Sequence, residues 1–296
     1  MYKRLGLFML FGCALAAHVA HAEADRVHFK PDNVLPVHAS SKVPLPQVRS
    51  HIALIVDEQT LQPLLNKNGG LVAPIASITK LMTAMVVLDA QLPMDEAVSV
   101  AEDDSGTRKR SRSRLSIGMT FTRSELLKMA LMASENRAAL ALAKSYPGGT
   151  AAAVAAMNTK ARELGMQNTR FYDPTGLSRD NVSTAHDLVK MVAAARNYSL
   201  IQQYSTAAVV SVDNLGGRAM RFSNTNPLVR SASWDIGVSK TGFISEAGLC
   251  LVMEAKINQR PVIIVLLNSW GKRTRIGDAN RIRKWMESAY KREHRT

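Results

Sequence analysis

Pro74-Ile75-Ala76-Ser77-Ile78-Thr79-Lys80 leads into a run, Ile78 to Leu92, that is rich in Leu, Met, Ala and Val and contains no helix breaker. Such a stretch reads as a buried helix starting near Ser77, and residues three apart at its start share one face. The Ser77 hydroxyl and the Lys80 ammonium are therefore expected within hydrogen-bonding reach. A serine hydroxyl is a poor nucleophile at neutral pH and needs a base beside it. A lysine serves as that base only where desolvation or nearby positive charge lowers its pKa. Ile75, Leu81 and Met82 supply apolar flanks for burying the lysine, and the helix N-terminus favours an alkoxide in formation. Ser-x-x-Lys recurs at Ser269 to Lys272 and at Ser288 to Lys291. Those two read as accidents on a loop and on an exposed helix, because only the first sits at the mouth of a long apolar helix.

Working outward, His51-Ile52-Ala53-Leu54-Ile55-Val56 is an apolar run of strand length that ends at Asp57, consistent with a buried strand. Downstream, Thr122-Arg123-Ser124-Glu125 is a capping-box pattern ahead of Leu126 to Ala133. Further helices are predicted from Ser134 to Ala143, from Thr150 to Leu164 with a stop at Gly165, and from Ala185 to Arg196 behind the cap Ser183-Thr184. His186 and Asp187 fall in the first turn of the last of these. In the final third, Lys240-Thr241-Gly242, Leu249 to Lys256 and Pro261 to Leu267 read as strands, with Asn258-Gln259 as a tight turn. Ile276 to Tyr290 reads as a closing helix with Ile282, Trp285, Met286 and Tyr290 on its apolar stripe. The pattern predicts an α/β (α+β) fold in which strands from both chain ends form an antiparallel sheet and an all-helical lobe is inserted between them. Residues 49–296 are assigned to one domain. Residues 23–48, with Pro31, Pro36, Pro44 and Pro46, are assigned to an extended leader arm.

At 296 residues and 46% hydrophobic, the chain can bury a substantial core. Lys3 and Arg4 precede the apolar run Leu5 to Ala17, and Ala20-His21-Ala22 has the small-x-small form of a signal-peptidase site. Residues 1–22 therefore read as a signal peptide cleaved near Ala22, which places the mature chain in the periplasm. A membrane anchor is the alternative, but the run falls short of the roughly 18 to 20 residues that span a bilayer. Lipidation at Cys13, behind Leu10-Phe11-Gly12, is a further alternative that Phe11 fits poorly. With Cys13 removed, Cys250 is alone and reads as a small buried hydrophobe. Loss of Lys3 and Arg4 lowers the net charge of +14 by two, to +12, which suits an anionic partner. The dense patch Arg108-Lys109-Arg110-Ser111-Arg112-Ser113-Arg114 reads as a solvated loop or as an attractor of acidic wall polymer. Nucleic acid is not expected, because the chain is exported and no aromatics interleave the arginines. Outside the signal, His28, His38, His51, His186 and His294 are scattered without metal-ligand spacing, so no metal or other cofactor is expected.

Two further motifs follow the first. Ser134-Glu135-Asn136 is the chain's only Ser-x-Asn, and Lys240-Thr241-Gly242 is its only Lys-Ser/Thr-Gly. The three occur in the order seen in penicilloyl serine transferases. Leu164-Gly165-Met166, Asn168-Thr169-Arg170-Phe171, Pro174-Thr175-Gly176-Leu177 and Ser183-Thr184-Ala185 resemble the linking segments of low-molecular-mass penicillin-binding proteins. The resemblance covers roughly residues 49 to 290. Lys240-Thr241-Gly242-Phe243-Ile244 and Glu246-Ala247-Gly248 are most similar to the murein DD-endopeptidase branch of that group, within serine peptidase family S11. Glu135 departs from the usual Asp, at a position that looks variable between two functional ones.

The resemblance implies the β-lactamase/DD-peptidase-like serine transferase fold and a division of labour. Ser77 attacks a D-alanyl carbonyl to form an acyl-enzyme, and Lys80 takes its proton. Ser134 relays a proton towards the leaving amine, while Asn136 holds Lys80 and the substrate amide. Lys240 and Thr241 bind the substrate carboxylate, and Gly242 lets the substrate backbone lie against the strand. The backbone N–H groups of Ser77 and Phe243 form the oxyanion hole. The implied partners are peptidoglycan stem peptides and, as covalent inhibitors, β-lactam antibiotics, with peripheral association to membrane or wall. The expected reaction is hydrolysis of D-alanyl-diaminopimelate cross-links. The rivals are a DD-carboxypeptidase, a β-lactamase, for which no second general base is placed, and a silent wall-binding scaffold.

Overall fold

Both ends of the chain contribute to one sheet. The computed structural model describes residues 43–102, 113–214 and 219–293. In chain order the elements begin with β1 (Ile52–Asp57), β2 (Pro63–Lys67), β3 (Ala73–Pro74), α1 (Lys80–Asp89), β4 (Ala97–Ser99), β5 (Thr120–Thr122), α2 (Arg123–Met132), α3 (Asn136–Lys144) and α4 (Gly149–Glu163). They continue with β6 (Val182–Ser183), α5 (Ala185–Ala195), α6 (Ser199–Thr206), β7 (Val209–Asp213), β8 (Ala219–Ser223), β9 (Asp235–Ile244), β10 (Gly248–Ile257), β11 (Arg260–Ser269) and α7 (Thr274–Glu293). The five-stranded sheet has the order β2-β1-β11-β10-β9. Its pairings are antiparallel, and β1 meets β11 from Ile52 opposite Leu267 to Asp57 opposite Val262.

Every residue of β1 is buried, because both faces of the sheet are covered, and this explains its unbroken apolar run. Leu54, Val56, Val252 and Val265 pack with the helical lobe on one side. Ala53, Ile55, Leu251, Met253 and Leu266 pack on the other side against Ile282 and Met286 of α7. Helix α1 is buried from Lys80 to Val87. It runs through the middle of the lobe, which is why its sequence is apolar all round.

The local signals behave as their chemistry requires. Thr122 and Glu125 form the reciprocal capping box of α2, and Thr184 Oγ1 accepts from the Asp187 N–H at the start of α5, at 3.1 Å. Asn258 and Gln259 both take left-handed φ, 51° and 64°, as a two-residue hairpin turn between right-twisted strands demands. Cys250 is fully buried, and burial pushes its thiol up to about 11, far from a reactive thiolate.

Two expectations are corrected and a third is refined. The middle of the chain is not all-helical, since β3-β6, β4-β5 and β7-β8 form two-stranded ribbons there. Tyr290 is 43% exposed and lies off the buried stripe. The helix expected from near Ser77 does start there, but its first turn, Ala76–Thr79, is 3-10 and only Lys80–Asp89 is α-helical. Residues 1–42, Arg108 to Arg112 and His294 lie outside the described residues, so the signal peptide, most of the leader arm and most of the basic patch do too. Arg114, at the end of that patch, is docked: its guanidinium stands 4.4 Å from the centre of the Phe222 ring. No helix among the described residues is long and apolar enough to cross a membrane.

Candidate active site

The first motif folds as a tight turn ahead of α1. Residues Ala76–Thr79 form one 3-10 turn, with Ala76 at a left-handed φ of 47°. Side chains three apart eclipse in such a turn, which lines Ser77 up with Lys80. Lys80 Nζ donates to Ser77 Oγ at 2.9 Å, to Asn136 Oδ1 at 2.6 Å and to the Thr175 carbonyl at 2.6 Å. Its three N–H donors are thus matched. Lys80 is 1% exposed. Burial lowers its pKa to about 7, against the Asp173 and Glu135 carboxylates, which raise it.

The turn is held from behind by the loop carrying Thr175. One Asp173 oxygen accepts the Thr175 and Gly176 N–H groups at 2.6 and 2.8 Å, and the other accepts the Ser178 N–H at 2.8 Å. Buried Asn181 donates to Thr79 Oγ1 at 3.0 Å and to the Asp173 carbonyl at 2.8 Å. Gly176 has φ +82°, and a Cβ there would stand 1.9 Å from the Ala76 carbonyl oxygen. Only glycine fits this approach.

Ser134 lies between α2 and α3 at φ 59°, a conformation that costs a non-glycine residue about 1 kcal/mol or more. Its Oγ accepts from Lys240 Nζ at 2.8 Å. Asn136, the first residue of α3, faces Lys80. Glu135, expected to be a variable spacer, is buried instead, and its carboxylate accepts from Ser113 Oγ and from the Arg114 N–H.

Strand β9 closes the far side. Lys240 is 1% exposed. Burial holds its pKa well below the usual lysine range, helped by the charges of Lys80 and Arg275. Thr241 Oγ1 donates to Thr225 Oγ1 at 2.6 Å. A Cβ on Gly242 would meet the Ile75 carbonyl oxygen at 3.0 Å and Ser77 N at 3.1 Å, so the strand backbone runs directly beside the nucleophile turn. Arg275 Nη1 donates to the Gly242 carbonyl at 3.0 Å. The Phe243 side chain is 62% exposed and points out of the cluster.

The structure therefore gathers Ser77, Lys80, Ser134, Asn136, Lys240, Thr241 and Gly242 around one cleft. Sequence reasoning missed the Thr175 carbonyl, Asp173, Asn181, Thr225 and Arg275. Pro174-Thr175-Gly176-Leu177 stood out as a motif, but a backbone acceptor leaves no side-chain signature. Arg275 carries no sequence signal beyond its place at the start of the closing helix. Among the described residues no group of three or more His, Cys, Asp or Glu is placed to hold a metal ion.

A serine and a desolvated lysine on a helical lobe, facing a second lysine on an antiparallel sheet, define an active-site-serine peptidase. The profile of the D-alanyl-D-alanine carboxypeptidase family, serine peptidase family S11, matches residues 38–271, and the chain belongs to that family. It is 48% identical over 248 residues to a D-alanyl-D-alanine endopeptidase of Pseudomonas aeruginosa, covering 83% of this chain and 80% of that one. An Escherichia coli D-alanyl-D-alanine endopeptidase is 46% identical over 263 residues, covering 88% and 85% respectively. Among solved structures, a Streptomyces DD-transpeptidase superposes with a TM-score of 0.76 at 28% identity, covering 82% of this chain and 98% of that one. A penicillin-binding protein of Listeria monocytogenes in its ampicillin-bound form gives a TM-score of 0.71 at 27% identity, with 82% and 98% coverage.

Proposed function

We propose that this chain is a DD-endopeptidase that hydrolyses D-alanyl-diaminopimelate cross-links in peptidoglycan through an acyl-enzyme on Ser77. The observation that carries the proposal is the 2.9 Å contact between Lys80 Nζ and Ser77 Oγ, made by an amine that burial brings to about 7. Near neutral pH a large fraction of such an amine is unprotonated and can accept the hydroxyl proton as Oγ attacks the carbonyl carbon. The tetrahedral oxyanion is held by the backbone N–H groups of Ser77 and Phe243. The carbon–nitrogen bond then breaks and the leaving amine takes a proton through Ser134, which is linked to Lys240. Water hydrolyses the remaining ester. Lys240 and Arg275 bring cationic side chains and Thr241 a hydroxyl to one wall of the cleft, which suits a substrate that carries a carboxylate next to the scissile amide.

Endopeptidase action is favoured by the two D-alanyl-D-alanine endopeptidases to which the chain is 48% and 46% identical. DD-carboxypeptidase action is the second reading, because the family profile bears that description and both bonds place a D-residue carboxylate in the same position. Incubation with cross-linked muropeptide dimers and with a monomeric pentapeptide separates the two. Conversion of dimers to monomers supports the proposal, and release of D-alanine with dimers left intact overturns it.

The same reading includes export behind a signal peptide at residues 1–22, cleaved near Ala22, and periplasmic action of one catalytic domain at 49–296. It also includes covalent capture of β-lactams at Ser77, supported by the ampicillin-bound relative. Association with wall or membrane through the surplus positive charge belongs to it as well.

A further inference from the structure

A cavity of about 470 Å³ opens between α6 and the first residues of β9, lined among others by Arg196, Gln202, Asp235, Gly237, Glu254 and Lys256. None of the Ser77 cluster lines it. The feature that needs explaining is Glu254 on β10. Cys250 and Val252 precede it on the same face of the strand and join the apolar core, as alternation requires. Glu254 then puts a carboxylate where a third apolar side chain is due. The residue is 2% exposed, its carboxylate opens onto the cavity, and it accepts no hydrogen bond from the described residues. Buried carboxylates are ordinarily paired or hydrogen-bonded.

The backbone makes room for this group. The pairing of β9 with β10 slips between Glu254, opposite Val238, and Ala255, opposite Ile236. Gly237 is thus the extra residue of a β-bulge, a device that re-aims side chains beside binding sites. A Cβ on Gly237 would stand 2.0 Å from Glu254 Oε2, so the missing side chain is the space the carboxylate occupies. Nearby, Glu58 gives one oxygen to Arg196 at 2.7 Å, and its other oxygen, Oε2, is buried with no hydrogen-bond partner. Burial and the neighbouring Glu58 both push the Glu254 carboxyl up, and the charges of Arg196 and Lys256 oppose them only in part. Arg196 is taken by Glu58, and Lys256 is exposed at the edge of the cavity.

We propose that this cavity is a second binding site, separate from the catalytic cleft, which takes a small ligand bearing a primary ammonium and uses Glu254 as its anion. A guest ammonium supplies the direct hydrogen-bond donors that the described residues do not give Glu254, and Gln202 and Asp235 line its surroundings. The source of the amine is either a free amino acid, whose carboxylate reaches Lys256, or an amine carried on a larger molecule.

The test is isothermal titration calorimetry on the full chain with butylammonium chloride and with lysine as probes, and tetramethylammonium chloride as the control for nonspecific charge. Butylammonium should bind saturably with roughly millimolar affinity, and tetramethylammonium, which has no N–H donor, should not. Lysine binding about tenfold tighter or more identifies a free amino acid as the occupant, and equal or weaker binding identifies an amine on a larger molecule. Glu254→Gln should weaken butylammonium binding roughly tenfold or more. Gly237→Ala, which keeps the charge but displaces the carboxylate, should weaken it too, and circular dichroism establishes that each variant is folded. Absence of saturable binding to the wild-type chain, or unchanged binding in a folded variant, overturns the proposal.

Discussion

Lys240 Nζ lies 2.8 Å from Ser134 Oγ, across 106 residues of sequence, and this contact joins the sheet to the helical lobe at the cleft. It connects the second motif to the third, as the bond from Lys80 to Asn136 connects the first to the second. A substrate entering between lobe and sheet meets a serine, two buried lysines and the open backbone beside Gly242. The cationic wall gives direct consequences for substrate choice. The turnover of a stem-peptide analogue should fall about 10- to 100-fold in kcat/KM when its terminal carboxylate is replaced by an amide. In Lys240→Gln the same replacement should have little effect, as paired kinetic assays would show.

With Lys80 as the proposed base, the pH dependence of acylation follows from its pKa. Its conjugate acid cannot accept the Ser77 proton, so acylation by a labelled penicillin should be slow below about 7, where the ammonium dominates, and should level off above it. Glu135 raises this pKa, so Glu135→Gln should move the acid limb to lower pH. Stopped-flow acylation rates across a pH series measure the shift. A limb that does not move argues against Lys80 as the titrating group.

Gly176→Ala tests how the nucleophile turn is held. The new methyl would collide with the Ala76 carbonyl in a backbone conformation that already disfavours side chains. Urea unfolding should show a loss of about 2 kcal/mol or more, and penicillin labelling of the folded fraction should fall with it.

Thr122→Ala removes one half of the α2 capping box, at a cost of about 1 kcal/mol. Thermal melts should report the loss while the acylation rate per folded molecule stays the same, because Thr122 lies outside the cleft.

The legible parts of this molecule are those whose chemistry is local in sequence. Ser77 and Lys80 announce themselves three residues apart, and Ser134 with Asn136 and Lys240 with Gly242 two apart. The Thr122 cap and the Asn258-Gln259 turn were readable because each satisfies its own neighbours. The support behind Lys80 was not, because its acceptor is a backbone carbonyl 95 residues away, whose position depends on the Asp173 turn. The β7-β8 ribbon is hard to read for a different reason: Val210, Val212, Met220 and Phe222 alternate inward, but each strand is only five residues long and exposed Val209 and Ala219 blur the alternation. Tyr290 keeps the four-residue spacing of Ile282 and Met286, but near the C-terminal end of α7 it stands 43% exposed instead of joining their cluster. Glu135 looked like a spacer, and its burial depends on Ser113 and Arg114 folding back over it.

The most direct test is peptide mapping by mass spectrometry after reaction with a labelled penicillin. The adduct should fall on the tryptic segment that ends at Lys80 and contains Ser77, persist for minutes, and vanish in Ser77→Ala. An adduct on any other segment, or undiminished labelling of Ser77→Ala, would contradict the assignment of Ser77 as nucleophile.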